Sequence, residues 1–317
     1  VDLGGTSIKL AISDQDGQLL LTRTIPTESH RGPEEVIKRT GQCIRDMLIE
    51  CDETGSVLAG LGMGVPGLVD ISKGITKFLP NLPTQWREIP VAEMLQTQLR
   101  VPVRLMNDVR TATLGELMYG LGKNDPHITM AFFSIGTGIG GGLVLDGKLR
   151  LGPLGAAGEF GHQTVLPDGP RCGCGNRGCL EAIASGTAIA AAGVRLMQSG
   201  LAPALHSLVE GRVERVSTKQ MVAVADQDPY IREALQDAAH LIGIAAANIV
   251  TILHPDLIVL GGGVAGIGTL LTETVRQVIA NRVGMFPTDN VRVEQSLLGE
   301  QAGLRGAIAL AAEITSA

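Results

Sequence analysis

The 317-residue sequence contains no uncharged apolar run long enough to span a bilayer, although 44% of its residues are apolar and its mean hydropathy is +0.23. It reads as a globular chain without a membrane partner, long enough that two domains are expected. Clusters of lysine and arginine are missing too, as are basic stripes interleaved with aromatics. With a net charge of −6 and a pI near 5.6, this argues against a nucleic-acid surface within these residues. No secretory pattern opens the chain. Its first residues, Val1-Asp2-Leu3, read as the end of a strand, so a short preceding segment is expected. Gly-Lys-Ser/Thr is absent from every glycine-rich loop, which excludes a P-loop.

What the chain has in excess is glycine, 42 residues of 317 and roughly twice the average share. The glycines gather in a few loops, where they suggest close approach of backbone to a ligand. One such loop also holds three of the five cysteines, in Cys172-Gly-Cys174-Gly-Asn-Arg-Gly-Cys179-Leu-Glu181. Together with His162 they offer three thiolates and an imidazole, the closed tetrahedral set of structural zinc. A disulfide with a spare thiol, or three free cysteines, are the alternatives, but a ring closed by Cys-x-Cys would be strained. Glu159 and Glu181 bracket the knot, and a metal there would fix both with His162 on one wall. Solvated surface carboxylates are the plainer reading of the pair. Cys43 and Cys51, on a predicted helix, read as inert core thiols.

From its start, Asp2-Leu3-Gly4-Gly5-Thr6-Ser7-Ile8-Lys9 predicts a tight turn into a β-meander with strands over 8–13 and 18–25. Backbone N–H groups freed by Gly4 and Gly5, with the Thr6 hydroxyl, can hold phosphate oxygens, and Asp2 can hold a hydrated Mg²⁺. Apolar residues at helical spacing predict a helix over 33–51. A strand over 57–65 runs into Pro66-Gly67, and the loop after it carries Asn81 as a candidate polar contact and Trp86, the only tryptophan, as an anchor. A strand over 101–106 delivers Asn107-Asp108 at its carboxyl end, ahead of a helix over 109–119. Ligands bind at that edge of open α/β sheets, whereas a helix N-cap is the plain reading of Asp108. The strand over 128–135 enters Gly136-Thr137-Gly138-Ile139-Gly140-Gly141-Gly142. This satisfies G-x-G-x-x-G, but a hairpin follows instead of a helix, so the dinucleotide fingerprint fails on context. Helices are predicted over 181–197, over 217–225 with a Ser217/Gln220 capping box, and over 229–253. A buried strand over 256–260 leads to Gly261-Gly262-Gly263-Val264, where a flat ring could lie close to the backbone. A helix over 269–282, a strand over 291–295 and a helix over 302–314 complete the chain.

Two halves, each opening with strand, Gly/Thr turn and hairpin, resemble the actin-like (ribonuclease H-like) sugar-kinase architecture, two α/β domains around a central cleft. The specific likeness is to the ROK family (repressor, open reading frame, kinase) and covers nearly the whole chain. It rests on Asp-Leu-Gly-Gly-Thr at 2–6, Gly-x-Pro-Gly at 64–67, Asn-Leu-Pro…Trp at 81–86, Asn-Asp at 107–108, the glycine run at 136–142, Glu-x-Gly-His at 159–162, the cysteine motif at 172–181 and Gly-Gly-Gly-Val at 261–264. Within the family, the 81–86 loop looks most like that of bacterial glucokinases.

The resemblance implies a smaller domain over 1–106, onto which the closing helix (about 302–317) packs, and a larger one over 107–301 with the zinc loop. It implies phosphoryl transfer from Mg·ATP to a hexose 6-hydroxyl, with glucose as the first candidate. Asp108 would accept the hydroxyl proton at an ordinary carboxylate pKa. Gly67, Asn81, Asn107, Glu159, His162 and Glu181 would bind the sugar. Asp2, Gly4, Gly5, Thr6, Ser7, Lys9, Gly136, Thr137 and Gly138 would serve the phosphates and their Mg²⁺, with Gly262 and Gly263 near the adenosine. Zinc on His162, Cys172, Cys174 and Cys179 would be structural, since four protein ligands leave no position for water. A cytoplasmic homodimer is the family expectation. Three rivals remain: a sugar-sensing ROK repressor whose helix-turn-helix would precede Val1, a kinase for N-acetylglucosamine, N-acetylmannosamine, mannose or fructose, and a kinase that uses polyphosphate as donor.

Overall fold

The protein is described by a computed structural model covering residues 1–51, 57–79, 82, 83 and 85–315. Its contacts divide the chain into two compact units, Val1–Pro126 with Gly147–Ala157 and Leu297–Ala317, and His127–Asp146 with Gly158–Ser296.

The first unit opens with β1 (Asp2–Leu3), β2 (Ser7–Ser13) and β3 (Leu19–Pro26), followed by α1 (Pro33–Cys51) and β4 (Leu61–Val65). A small hairpin of β5 (Leu68–Asp70) and β6 (Ile75–Phe78) precedes α2 (Val91–Leu99), β7 (Val103–Asn107) and α3 (Asp108–Tyr119). The sheet runs β3-β2-β1-β4-β7, antiparallel through the meander and parallel across β1, β4 and β7. Every residue of β4 is buried, as expected of a parallel strand covered on both faces. Cys43 is buried in this unit's core and Cys51 is half-exposed. Trp86 is buried in the same core, and the 81–86 loop around it is only partly described: Asn81 lies outside the described residues.

The second unit starts with β8 (Met130–Ile135) and β9 (Ile139–Leu145), and the turn after β9 sends the chain to β10 (Lys148–Arg150) in the first unit. The chain then forms α4 (Leu180–Ala184), α5 (Gly186–Gln198), α6 (Pro203–Leu208), α7 (Thr218–Val224), α8 (Pro229–Leu253), β11 (Leu257–Gly261), α9 (Thr269–Arg282) and β12 (Arg292–Gln295). Strands β9, β8, β11 and β12 are neighbours in that order, with β8, β11 and β12 parallel. α8 is long and apolar enough to cross a membrane by length and composition, but Leu235, Ala239, Ile242 and Ala246 bury that face in the unit's core.

Last comes α10 (Ala302–Thr315), which packs on α3 and β4 of the first unit. A Cβ on Gly306 would lie 1.6 Å from the Thr111 carbonyl oxygen, and one on Gly115 2.3 Å from that of Ala302, so glycine on each helix allows backbone to meet backbone. This contact moves the expected boundary. α3 stays with the first unit, which ends at Pro126 and not at Met106, because the far end of the chain holds it there. Two further expectations change. The helix over 181–197 is two helices, broken at Ser185, whose side chain accepts the Ala188 N–H and starts α5. Ser217 does precede α7, but its hydroxyl donates to the Gln220 side chain and makes no backbone cap.

Candidate active site

Parallel pairing lines up the carboxyl ends of β1, β4 and β7, with Asp2 opposite Gly64 and Val65 opposite Asn107. The Gly4-Gly5-Thr6 turn, Gly67 and the Asn107-Asp108 pair therefore share one edge of the first sheet, where a doubly wound sheet places its ligands. Buried Thr27 holds the turn from behind: its hydroxyl donates to the Gly4 carbonyl at 2.7 Å and its N–H to the Thr6 carbonyl at 2.9 Å. Gly5 and Thr6 are left exposed. Lys9, opposite Asp2 on β2, reaches Glu300, with Nζ 3.2 Å from its carbonyl oxygen and 3.7 Å from its carboxylate.

The cap of α3 is Asn107, not Asp108. Its Oδ1 accepts the N–H groups of Val109 and Arg110 at 3.0 and 3.2 Å and an Arg110 guanidinium N–H at 3.1 Å. Its Nδ2 donates to the Gly67 carbonyl at 3.0 Å and to Asp108 Oδ1 at 2.9 Å. Asn107 Nδ2 thus bridges the Gly67 carbonyl and the Asp108 carboxylate within the first unit. Asp108 is the first residue of the helix, and its Oδ1 also accepts the Val109 N–H at 2.9 Å. Burial pushes the Asp108 carboxyl up to about 6, and the nearby Asp2 charge adds to the rise, while the Val109 N–H and Arg110 oppose it. The expected ordinary pKa is therefore corrected: desolvation makes Asp108 a stronger proton acceptor than a free carboxylate. Asp2 is raised as well, chiefly by burial.

In the second unit, β8 and β11 end side by side, with Ser134 opposite Gly261, so the 136–138 and 262–263 loops share an edge. Gly262 has φ +81°, and a Cβ there would meet the Ile135 carbonyl oxygen at 2.5 Å, so only glycine fits. The start of α5 sits on the first of these loops. The Gly186 N–H donates to the Gly136 carbonyl at 2.8 Å and the Thr187 hydroxyl to the Thr137 carbonyl at 2.8 Å. Glu181, on α4, braces the same loop by accepting the Ile139 N–H at 2.9 Å. Thr137, Gly262 and Gly263 remain exposed.

The knot beneath brings together the four expected ligand side chains, whose donor atoms all lie within 4.8 Å of one another. The Cys172 Sγ to His162 Nδ1 and Cys174 Sγ to Cys179 Sγ distances are both 3.7 Å. A tetrahedral zinc with Zn–S bonds of about 2.3 Å needs ligand atoms about 3.8 Å apart, so the set fits that ion. Tight turns make the cluster possible: a Cβ on Gly178, at φ +64°, would lie 1.6 Å from the Leu166 carbonyl oxygen. His162 turns its other nitrogen outward, with Nε2 4.0 Å from Glu159 Oε2. Without metal, burial pushes the Cys179 thiol up to about 12, so binding a cation there releases protons.

The profile of the ROK family matches residues 1–314. The chain belongs to the ROK family. A glucokinase from Thermotoga maritima is 34% identical over 320 residues, covering 99% of this chain and 96% of that one. The crystal structure of a ROK family glucokinase from Streptomyces griseus, in complex with glucose and AMPPNP, superposes with a TM-score of 0.81 at 30% identity over 98% of each chain. A putative xylose repressor from a Caldicellulosiruptor species is 29% identical over 98% of this chain and 76% of its own length. The fold is accordingly the actin-like sugar-kinase fold of ROK glucokinases.

Among the expected site residues, this ROK protein groups Asp2, Gly4, Gly5, Thr6, Ser7, Lys9, Gly67, Asn107 and Asp108 on the first sheet. It groups Gly136, Thr137, Gly138, Glu181, Gly262 and Gly263 on the second, with Glu159, His162 and the three cysteines at the knot. Sequence reading missed Thr27, Arg110, Ser185 and Thr187. Three are polar residues near glycine loops with no motif of their own. Arg110 did leave a signal, a charge in the first turn of a helix that shows no single apolar face.

Proposed function

We propose that this ROK protein is an ATP-dependent glucokinase that phosphorylates the 6-hydroxyl of glucose. The observation that carries this reading is Asp108, a half-buried carboxylate raised to about 6 and held at a sheet edge beside a glycine turn. Asn107 and the Val109 N–H both occupy Oδ1, which leaves Oδ2 for the acceptor hydroxyl. As that oxygen attacks the γ-phosphorus, Asp108 takes its proton. The larger part of catalysis lies in positioning and in charge neutralisation.

Glu159, His162 Nε2 and Glu181 Oε1 are the groups assigned to the sugar hydroxyls, with Asn81 from the 81–86 loop and the Gly67 backbone. The exposed turns at Gly4-Gly5-Thr6-Ser7 and Gly136-Thr137-Gly138, with Lys9, are assigned to the phosphates, and Gly262 and Gly263 to the adenosine. Asp2 is the carboxylate for the hydrated Mg²⁺ that accompanies ATP, where the cation offsets phosphate charge. Zinc on His162, Cys172, Cys174 and Cys179 supplies rigidity only. All five cysteines are free of disulfides, which suits the reducing cytoplasm. The family precedent is a homodimer, and exposed Tyr230 and Ile252 on α8 are compatible with one.

The test is ADP release with Mg·ATP against glucose, mannose, fructose, N-acetylglucosamine and N-acetylmannosamine, repeated with polyphosphate as donor. Glucose with ATP is expected to give the highest kcat/KM. A preferred amino sugar would replace the substrate assignment. Sugar-dependent stabilisation with no turnover of any sugar would overturn the enzyme reading in favour of a sensor.

A further inference from the structure

Arg110 breaks two local rules at once. It places a cation in the first turn of α3, at the positive end of the helix dipole, and it is only 2% exposed, where an ionised group loses its hydration. Burial and helix electrostatics both disfavour it. Such conflicts concentrate at functional positions, and the surroundings show what this one does.

The guanidinium donates from Nε to the Ala157 carbonyl at 3.1 Å and from Nη1 to Asn107 Oδ1 at 3.1 Å. That oxygen already accepts two backbone N–H groups, so three donors converge on it. The amide nitrogen must then face the other way, toward the Gly67 carbonyl and Asp108 Oδ1. Rotating the carboxamide by half a turn would set NH₂ against three donors and Oδ1 against two acceptors.

We propose that Arg110 is a positioning residue for phosphoryl transfer: from behind Asn107 it locks the carboxamide that donates to Asp108, and so keeps the carboxylate's free oxygen aimed at the acceptor hydroxyl. The inference rests on Asp108 being the base. The charged groups that face Asp108 are Asp2 from β1 and Arg110 from its own helix. Removing the cation takes away one of the groups that hold the Asp108 carboxyl down, and the base titrates at higher pH.

Arg110→Met and Arg110→Lys, with Asp108→Asn beside them, make the test, with kcat and KM measured from pH 5 to 8. Arg110→Met is expected to lower kcat about tenfold or more at neutral pH and to move the acid limb of kcat upward by about one pH unit, with KM for glucose and ATP nearly unchanged. Arg110→Lys keeps the charge but not the planar fork, so kcat falls while the limb stays. Folding is checked by near-ultraviolet dichroism, and the lysine variant carries the test if the methionine variant is misfolded. A folded Arg110→Met with the parent's kcat and acid limb, or a lysine variant with the parent's kcat, overturns the proposal. An active Asp108→Asn would instead remove the base assignment itself, so the two failures are separable.

Discussion

Asp108 and Glu181 are both half-buried carboxylates beside a glycine turn at the carboxyl edge of a parallel sheet, yet the protein secures them differently. Asp108 stands at the junction of a five-residue strand and a twelve-residue helix, and its orientation follows from backbone pairing and the Asn107 cap. Glu181 sits on a helix of five residues, and His162 ends a three-residue 3₁₀ turn. Elements so short do not hold their own geometry in water. There the proposed zinc, a cross-link at four side chains, would take over from regular hydrogen bonding. The orientation of Asp108 in the first unit should therefore tolerate loss of zinc, and the sugar wall of the second unit should not.

The largest expected effect is on the first unit alone. Asp108→Asn should lower kcat by about 10²–10⁴-fold while glucose affinity, read by calorimetry, stays near that of the parent. Next is removal of the metal. Chelation, or Cys179→Ser, should weaken glucose binding by about 10–100-fold, with nucleotide affinity changed far less. Full glucose binding by protein shown metal-free by elemental analysis would erase the contrast between the units.

Acidification should act mainly through Asp108. With its carboxyl raised to about 6, kcat should fall about tenfold per pH unit below that value, because only the ionised form accepts a proton. The stability sign is opposite. The folded state holds this proton more tightly than the unfolded chain, whose carboxyl titrates near 3.8. The stabilisation is fully present below about 4 and is lost as pH rises through about 6, so the base works in the pH range where its buried charge disfavours folding. Thermal melts of the parent and of Asp108→Asn between pH 4 and 7 check this: the difference in Tm should change with pH in that window.

The smallest effects belong to the two hydroxyls behind the turns. Thr27→Val removes the bond to the Gly4 carbonyl, and Thr187→Val the bond to that of Thr137. Each bond is worth about 1 kcal/mol, or roughly a fivefold rise in KM for ATP. Thr27 is buried and Thr187 exposed, so the first variant should also lower Tm and the second should not.

Much of this was legible in the residues. Helical periodicity and proline placed α1 and α8 at their observed bounds, since these helices carry their start signals and apolar spacing in local sequence. Cysteine spacing predicted the four candidate metal ligands that the structure brings together, because glycines leave so short a loop few other ways to fold. The break at Ser185 was missed although Ser185-Gly186 carries a local N-cap signal; the contact that fixes it, the Gly186 N–H on the Gly136 carbonyl, comes from fifty residues away.

What the sequence determined by itself was therefore everything set within about twenty residues: the strand ends, the glycine turns, the knot and the identity of the acid at 108. The tertiary structure decided the rest. It kept α3 in the first unit by closing α10 over it, it filled the Asn107 carboxamide with protein partners, and it raised the Asp108 carboxyl to about 6. Those outcomes depend on backbone contact between segments far apart in the chain and on burial, and neither leaves a periodic trace in the residues that undergo it.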